Sequence, residues 1–270
     1  MKPPCDVLLV EDDRVVQEAA ARILRQDGLS VARADDVAGA VARLRAGEPR
    51  IVLTDLMLPG FSGFDLLDRM ARDHPQTPVV LITGYATIEN ALRAFKHGAF
   101  DFLPKPFDVA ELAGVVRRAL RAADARCWNA NARELARPAD APPGDFYDLG
   151  RHAWAAVEPG RATFGVGDSF AGLVGEIRDL RLPEPGDLVT QGLAFAEIAT
   201  ADDAIHRVWA PLGGTVLESH SELGHEPELL NRAPYSSGWL VRVLPTALEE
   251  QLDALTLRSG SPPPARPGRD

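Results

Sequence analysis

Three carboxylates in the first half of the chain follow short apolar runs and could together bind a metal ion. Glu11 and Asp12 come directly after the first run, and Asp55 closes the third. Carboxylates that lie close together repel one another unless a cation sits among them. Oxygen-only sites suit Mg²⁺, which keeps several waters and takes one or two carboxylates. The sequence therefore predicts a Mg²⁺ site at Glu11, Asp12 and Asp55.

The apolar runs that precede these acids are typical of parallel strands buried on both faces. They alternate with helical patterns, which predicts a doubly wound α/β domain. The five expected strands cover 7–10, 29–34, 51–54, 78–83 and 100–103. In such sheets ligands bind at the carboxyl edge, where Thr83 and Lys105 also fall. A single acid there is more simply a helix cap, but five suitable residues at strand ends favour a shared site.

Four motifs stand in order along this region. They are Leu9-Val10-Glu11-Asp12-Asp13; Leu53-Thr54-Asp55-Leu56-Met57-Leu58-Pro59-Gly60 with Gly63; Leu81-Ile82-Thr83-Gly84; and Gly98-Ala99-Phe100-Asp101-Phe102-Leu103-Pro104-Lys105-Pro106-Phe107. With these motifs at this spacing, residues 6 to about 121 resemble the receiver domain of two-component response regulators. The resemblance implies a five-stranded, flavodoxin-like sheet.

By that resemblance Asp55 accepts a phosphoryl group from a sensor histidine kinase or phosphotransfer protein. Formation of an aspartyl phosphate is known nucleophilic chemistry. Asp12 and Asp55 would bind Mg²⁺ directly, together with the backbone carbonyl of Met57, and Glu11 would act through water. Lys105 would help to neutralise the transferring oxygens.

The resemblance also implies a switch. Thr83 would move to hydrogen-bond the new phosphoryl group, Phe102 occupies the rotating aromatic position, and the Lys105–Pro106 bond is expected to be cis. Gly84 stands where the family often has alanine, which would loosen the switch loop.

Two further positions depart from the family pattern. Met57 and Tyr85 flank the phosphoryl site where a polar side chain can position water. We therefore expect a phosphoryl lifetime at the long end of the family range. A dehalogenase-like or phosphatase-like enzyme would need a second acid two residues after Asp55, where Met57 stands, so the prediction is a non-enzyme that catalyses only its own phosphoryl transfer and dephosphorylation.

Residues 146 to about 246 have a different sequence pattern, with short β-type runs separated by Pro-Gly and Gly-Gly pairs. The pieces that carry a resemblance include His152-Ala153-Trp154, Leu182-Pro183-Glu184-Pro185-Gly186-Asp187, Trp209-Ala210-Pro211-Leu212-Gly213-Gly214 and Pro234-Tyr235-Ser236-Ser237-Gly238-Trp239-Leu240. This half resembles the H protein of the glycine cleavage system. The resemblance implies a mostly β, lipoyl-type hammerhead or barrel-sandwich domain.

In that family a hairpin lysine carries lipoamide, and here its position falls on Asp203. The chain has three lysines, and none follows Lys105. Neither Asp203 nor Arg207 offers a primary amine, so lipoate is excluded and the fold must not be read as the function. The Asp202–Asp203 turn is either a solvated turn or a surface that still docks an enzyme recognising H proteins.

We predict four segments: a receiver domain over 1–123, a helix end and linker over 124–145, an H-protein-like domain over 146–250, and a helix end with a disordered tail over 251–270. A helix is expected over 108–126 and a last helix over 246–257.

The tryptophans 154, 209 and 239 are interpreted as core. Irregular spacing favours surface roles over a metal site for His206, His220 and His225. Arg93, Lys96, Arg117 and Arg118 form either a signalling face or a solvated helix face.

The amino-acid composition disfavours some classes of function. Twenty-nine Lys and Arg stand against 39 Asp and Glu, a net charge of −10, which disfavours nucleic acid as the partner. There is no apolar run long enough for a membrane span, no signal-peptide pattern, and only two cysteines, so a cytoplasmic location is expected.

The leading hypothesis is a response regulator whose output domain binds an unknown protein rather than DNA. The alternatives are a transcription factor, for which no helix-turn-helix is visible, and an accessory of glycine-cleavage or lipoyl metabolism acting as a carrier mimic. Homodimer formation is left open.

Overall fold

Short apolar segments alternate with amphipathic helices through the first 125 residues of the computed structural model, which describes residues 5–131 and 137–258. The strands are β1 (Val7–Val10), β2 (Val31–Ala34), β3 (Ile51–Asp55), β4 (Val79–Thr83) and β5 (Asp101–Pro104). The helices are α1 (Arg14–Gln26), α2 (Val37–Ala46), α3 (Gly63–Asp73), α4 (Ile88–Lys96) and α5 (Val109–Ala125). The five strands pair in parallel in the order β2-β1-β3-β4-β5, so the predicted doubly wound sheet is confirmed.

Each of these helices starts at a side-chain cap. The caps are Asp13, Asp36, Ser62, Thr87 and Asp108, and each accepts a hydrogen bond from a backbone N–H of the first turn. Such caps satisfy donors that the helix itself leaves unpaired. They fix where each loop at the carboxyl edge of the sheet ends, which holds the residues of those loops in place.

The chain from residue 145 onward forms a mostly antiparallel β region. Its strands are β6 (Asp145–Leu149), β7 (Ala153–Glu158), β8 (Arg161–Val166), β9 (Ile177–Arg181), β10 (Leu188–Val189), β11 (Ala194–Thr200), β12 (Ile205–Trp209), β13 (Gly214–Ser219), β14 (Val241–Pro245) and β15 (Thr256–Leu257). The helical segments are α6 (Asp168–Val174), a 3₁₀ turn at Ser221–Gly224, α7 (Leu229–Arg232) and α8 (Leu248–Leu252).

Seven of these strands form one sheet, in the order β10-β13-β14-β8-β7-β6-β15, and three form another, in the order β12-β11-β9. Buried side chains from both sheets share one apolar cluster, for example Phe164 and Val241 from the larger sheet with Ile198 and Val208 from the smaller. This is the predicted β-rich second domain.

The end of the chain departs from the prediction. Instead of a helix over 246–257, the structure has the short helix α8 followed by β15, which pairs with Asp148 and Tyr147 of β6. The apolar spacing fits a helix, but the hydrogen-bond partners that make β15 a strand lie more than 100 residues earlier in the chain. The sheet therefore continues past residue 250, and the predicted tail over 259–270 lies outside the described residues.

The two halves share their apolar cores. Leu149 and Trp209 of the second half pack into a cluster that contains Phe95 and Phe102 of the first. Leu173 likewise joins a cluster with Val116 and Leu120 of α5. Because apolar side chains are shared in this way, the halves form one packed body rather than two domains on a free linker.

Candidate functional site

A buried carboxylate and a lysine meet at the carboxyl edge of the parallel sheet. Lys105, directly after β5, extends its Nζ to 2.6 Å from Asp55 Oδ2 and 2.6 Å from Glu11 Oε2. Asp55 ends β3, and Glu11 follows β1 with its side chain only 1% exposed. Residues predicted from three separate strand ends are thus brought into direct contact.

The electrostatics of this cluster are set by burial and mutual attraction. Burial raises the pKa of Glu11, and the nearby Lys105 only partly offsets this rise. Burial alone would lower the pKa of Lys105, but its hydrogen bonds to Asp55 and Glu11 raise it. Lys105 therefore stays cationic at neutral pH and holds positive charge against Asp55.

The acids also fit a divalent metal ion. One oxygen from each of Glu11, Asp12 and Asp55 lies within 4.8 Å of the others, with Asp12 exposed and the other two buried. A hard cation such as Mg²⁺ prefers such oxygen donors. Among the described residues, no other group of three His, Cys, Asp or Glu meets this spacing.

The loops around Asp55 fit closely against it. The N–H of Met57 donates to Asp55 Oδ1 at 3.1 Å. A Cβ at Gly63 would overlap the Asp55 carbonyl oxygen, so only glycine allows α3 to start this close. Met57 and Tyr85, the two residues that depart from the family pattern, are 53% and 61% exposed.

The predicted switch residues lie on adjacent strands. Thr83, at the end of β4, is fully buried, and its hydroxyl accepts the N–H of Tyr85 at 3.0 Å. Its carbonyl accepts the N–H of Lys105 at 2.8 Å. Phe102 is buried in β5, and the Lys105–Pro106 bond is cis, as expected from the sequence.

Asp203, the expected degenerate carrier position, lies in the turn between β11 and β12. Asp203 has a φ of +57° and pairs with Arg178 at 2.7 Å. Its neighbour Asp202 instead contacts Arg117 and Arg121 of α5. The interpretation of this turn as merely solvated is therefore wrong for Asp202.

Three other expectations need correction. Arg118 is not on a solvated face, because it is buried and paired with Asp101, whereas Arg93 and Lys96 are exposed. His206 and His220 are not surface histidines, because both are buried. Neither ring nitrogen of His206 is hydrogen-bonded to a described residue, and His220 Nδ1 lies 2.8 Å from the Trp239 carbonyl oxygen. Trp154 and Trp209 are core, with Trp209 in a cluster that both halves share, but Trp239 is only partly buried and stacks on His220.

Sequence reasoning missed the buried polar group between the two halves. Trp209 Nε1 donates to Asp101 Oδ1 at 3.1 Å, and the Trp209 N–H donates to His152 Nε2 at 3.2 Å. Asp101 is the first residue of β5, and nothing in its local pattern signals a partner 108 residues away.

Two family models match this chain, one over each half. Residues 7–117 match the family model of the response regulator receiver domain. Residues 146–259 match that of the glycine cleavage H-protein. The chain thus contains one segment that is similar to receiver domains and one that is similar to H proteins. The recognition made from the motifs is thus confirmed for both halves.

The curated relatives match a part of this chain. The nitrogen assimilation regulatory protein NtrX of Azorhizobium caulinodans is 37% identical over 135 residues, 49% of this chain and 30% of that protein. The DNA-binding transcriptional regulator NtrC of Escherichia coli K12 is 34% identical over 114 residues, 42% of this chain and 24% of that protein. The chain thus spans less than a third of the length of these curated relatives.

Solved structures resemble each half separately. The receiver domain of NtrX from Brucella abortus is 38% identical, with a TM-score of 0.42, covering 43% of this chain and 98% of that one. A glycine cleavage system H protein from Mycobacterium marinum is 24% identical, with a TM-score of 0.36, covering 43% and 97%. Within the described residues, no helix is long and apolar enough to cross a membrane.

Proposed function

We propose that this protein is a two-component response regulator that is phosphorylated on Asp55. The contact of Lys105 with both Asp55 and Glu11, at 2.6 Å each, carries the proposal. A nucleophilic carboxylate needs a cation that holds its charge and that can also accept the oxygens of an incoming phosphoryl group. Lys105 supplies that cation at the atom where charge would develop.

The proposed reaction is a direct displacement. An Asp55 oxygen forms a bond to phosphorus while the phosphorus–nitrogen bond of a phosphohistidine donor breaks, and the departing imidazole keeps the electron pair and takes up a proton. Asp55 becomes an acyl phosphate, so the carboxylate loses its own charge and the phosphoryl group brings new charge. Lys105 then faces the phosphoryl oxygens, and the Thr83 hydroxyl can leave the Tyr85 N–H to donate to one of them.

The acidic cluster would hold Mg²⁺ through Asp12, Asp55 and the Met57 carbonyl, with Glu11 acting through water. When bound, the ion supplies charge neutralisation for the phosphoryl oxygens. The protein residues do the remaining work: they fix the nucleophile and keep a cation beside it. In this account the chain is not an enzyme beyond its own phosphorylation and dephosphorylation.

The proposed partner of the receiver domain is a sensor histidine kinase or phosphotransfer protein. We place the receiver domain at 1–123, the linker at 124–145 and the output domain from 146 through β15. The output domain lacks an amine at Asp203 and has no lysine, so we propose a protein-binding output without lipoate and without DNA contact.

The H-protein match supports a second candidate: an accessory of glycine-cleavage or lipoyl metabolism that competes as a carrier mimic. Affinity capture on the full chain, with and without the phosphoryl analogue beryllofluoride, separates the two. Glycine-cleavage enzymes retained in a phosphorylation-dependent way would favour the accessory role. RNA polymerase or promoter DNA would instead contradict the proposed output.

Phosphorylation itself is tested with acetyl phosphate. The full chain with Mg²⁺ should gain the mass of one phosphoryl group, and Asp55→Asn should gain none. Asp73→Asn, an exposed acid at the far end of α3, is the matched control and should behave like the parent. Equal uptake by the parent and Asp55→Asn would overturn the proposal.

A further inference from the structure

A small cavity lies where α5 of the first half meets α6 and the turn between β6 and β7 of the second half. Its volume is about 10 Å³, which is room for one occupant of the size of a water molecule. The side chains that line it include those of Arg118 in α5, Trp128 just after α5, and Arg151 and Ser169 of the second half. The cavity is therefore formed by both halves of the chain.

The unpaired polar atoms of these lining side chains are all hydrogen-bond donors. Within the described residues, Arg118 Nε, Arg118 Nη1, Trp128 Nε1 and Arg151 Nε are buried and have no hydrogen-bond partner. A buried donor without a partner costs free energy, and such groups in proteins generally meet an ordered water or an ion. The occupant of the cavity should therefore accept several hydrogen bonds at once.

Arg118 brings a positive charge to this buried place. It is 1% exposed, and its guanidinium carbon lies 4.0 Å from the centroid of the Phe170 ring, over the ring face. Its Nη2 pairs with Asp101. Burial lowers the pKa of Arg118, and Asp101 offsets this only in part. A second anion at the unpaired Nε and Nη1 would further stabilise the charged guanidinium.

Arg151 is held beside the cavity by the turn between β6 and β7. Gly150 and Arg151 have φ values of +55° and +65°, and the N–H of His152 donates to the carbonyl of Leu149 at 2.9 Å. A turn with two left-handed residues at its centre usually has asparagine and glycine there. An arginine in this backbone conformation is uncommon, so the turn spends conformational strain on a side chain that lines the cavity.

The charge of Arg151 is not balanced at this place. Its Nη2 donates to the neutral hydroxyl of Ser169 at 2.9 Å, and its guanidinium carbon lies 5.5 Å from the centroid of the Trp128 ring. The charge of Arg151 also acts on Asp148, but that carboxylate is paired with Arg258. Two guanidinium groups that line one cavity repel one another unless an anion lies with them.

The histidine at this cavity adds no hydrogen-bond acceptor. His152 is 3% exposed, and its Nε2 accepts the backbone N–H of Trp209 at 3.2 Å. Burial, together with the charge of Arg118, lowers the pKa of His152 well below its usual value. The ring is therefore neutral and has its one proton on Nδ1. A water molecule here would need acceptors for its own protons, whereas an anion needs donors alone.

We propose that this cavity is a binding site for a monoatomic anion and that chloride is its occupant. Room for one water-sized body is too small for sulfate, phosphate or an organic carboxylate. Chloride has no proton and no preferred direction, so it can accept N–H groups from several sides. Gly150, Arg151 and Ser169 are partly exposed, which gives the ion a path from solvent. The ion contacts both halves of the chain, and its binding does not depend on the proposed phosphorylation.

The first test is chloride NMR of the full chain, with sodium gluconate keeping the ionic strength constant. A bound ion relaxes with the protein, so the chloride line should broaden when the parent is added, and bromide should reverse the broadening by competition. The chloride affinity is read from the titration. No broadening by the parent would overturn the proposal.

Two variants remove donors from the cavity. Trp128→Phe removes one N–H and keeps an aromatic ring, and Arg151→Met removes the charge and keeps an unbranched side chain. Each should weaken chloride binding about tenfold or more, the scale of one hydrogen bond to a charged group. Arg151 is partly exposed, so its variant reports on the site even if Trp128→Phe fails to fold.

The matched controls change the same residue types elsewhere in the second half. Trp239→Phe alters a partly buried tryptophan that stacks on His220, and Arg161→Met alters an exposed arginine of β8 that pairs with Glu158. Both controls should bind chloride as the parent does. Equal chloride affinity in the parent, Trp128→Phe and Arg151→Met would overturn the proposal.

The second test is anomalous diffraction from crystals of the full chain grown with bromide in place of chloride. We expect an anomalous peak in the cavity, within hydrogen-bond distance of Arg118, Trp128 and Arg151. A peak in this cavity without anomalous signal would identify the occupant as water and overturn the proposal, as would an empty cavity.

Discussion

Lys105 places one positive charge between two carboxylates that lie mostly out of water. Glu11 and Asp55 each accept a hydrogen bond from it at 2.6 Å. Without a cation these acids would repel one another in a site where water screens little. The same ammonium group therefore stabilises the resting site and prepares it for an anionic substrate.

Replacing Lys105 with alanine should slow phosphoryl uptake from acetyl phosphate by about 10²-fold, the usual cost of losing one charge-stabilising donor. The melting temperature without Mg²⁺ should also fall, because the acids lose their cation, and added Mg²⁺ should raise it more than in the parent. Intact mass measures the phosphoryl uptake, and thermal unfolding measures the melting temperature. Lys96→Ala, on the exposed side of α4, is the control; uptake by Lys105→Ala within twofold of this control would contradict the assigned role.

Met57 and Tyr85 should govern how long the phosphoryl group survives. Both are large and exposed, and in the proposed role they obstruct a water that would attack phosphorus. Met57→Asn and Tyr85→Asn should each shorten the phosphoryl half-life several-fold, measured by loss of mass after acetyl phosphate is removed. Leu188→Asn, an exposed apolar residue of the second domain, should leave it unchanged. A parent half-life of only seconds would count against this role.

At the scale of elements, β12 and α5 form a contact whose polar groups are buried. His206 of β12 lies against this helix with both ring nitrogens unpaired, among the described residues. Burial, reinforced by the charges of Arg118, Arg121 and Arg117 and opposed by Asp202, lowers the pKa of His206 to about 3. Burial and Arg118 also lower the pKa of His152 well below its usual value. Both histidines are neutral in the folded protein.

The pH dependence follows from these lowered pKa values. An unfolded histidine takes up a proton near pH 6.5, so the stability due to neutral His206 is complete above that pH and is lost as pH falls toward 3. Between pH 7 and pH 5, the melting temperature of His206→Leu should therefore fall less than that of the parent. His225→Leu, at an exposed position, should follow the parent. Identical pH profiles for the parent and His206→Leu would contradict the burial argument.

The elements differ in how far the sequence could predict them. The strand ends bearing Glu11, Asp55 and Lys105 are local patterns, and the parallel sheet brings them together without further information. The helix α5 was expected over 108–126 and observed at Val109–Ala125. The error over 246–257 arises because strand pairing by β15 depends on β6, which periodicity within the segment does not encode.

At the scale of the whole molecule, a side chain that belongs to the second domain completes the core of the first. Trp209 was expected to be a core residue, and it is, but the sequence could not show that it joins the core of the first domain. Its partners Phe102 and Asp101 are more than 100 residues earlier, in a different predicted domain. Such a shared core predicts that the two domains unfold together.

Trp209→Ala should therefore split one calorimetric unfolding transition into two. Removing a buried tryptophan costs about 3–5 kcal/mol, and here the loss falls on the contact between the domains. Trp239→Ala is the control, because Trp239 stacks on His220 within the second domain and should lower stability while keeping a single transition. Two transitions in the parent would contradict a shared core.

The most direct measurement is to map the phosphorylated residue chemically. Borohydride reduces an aspartyl phosphate to homoserine, which peptide mass spectrometry can locate in the full chain after treatment with acetyl phosphate and Mg²⁺. The account predicts homoserine at position 55 and at no other aspartate. Homoserine at Asp12 or Asp13, or a phosphorylated chain with none at position 55, would contradict it.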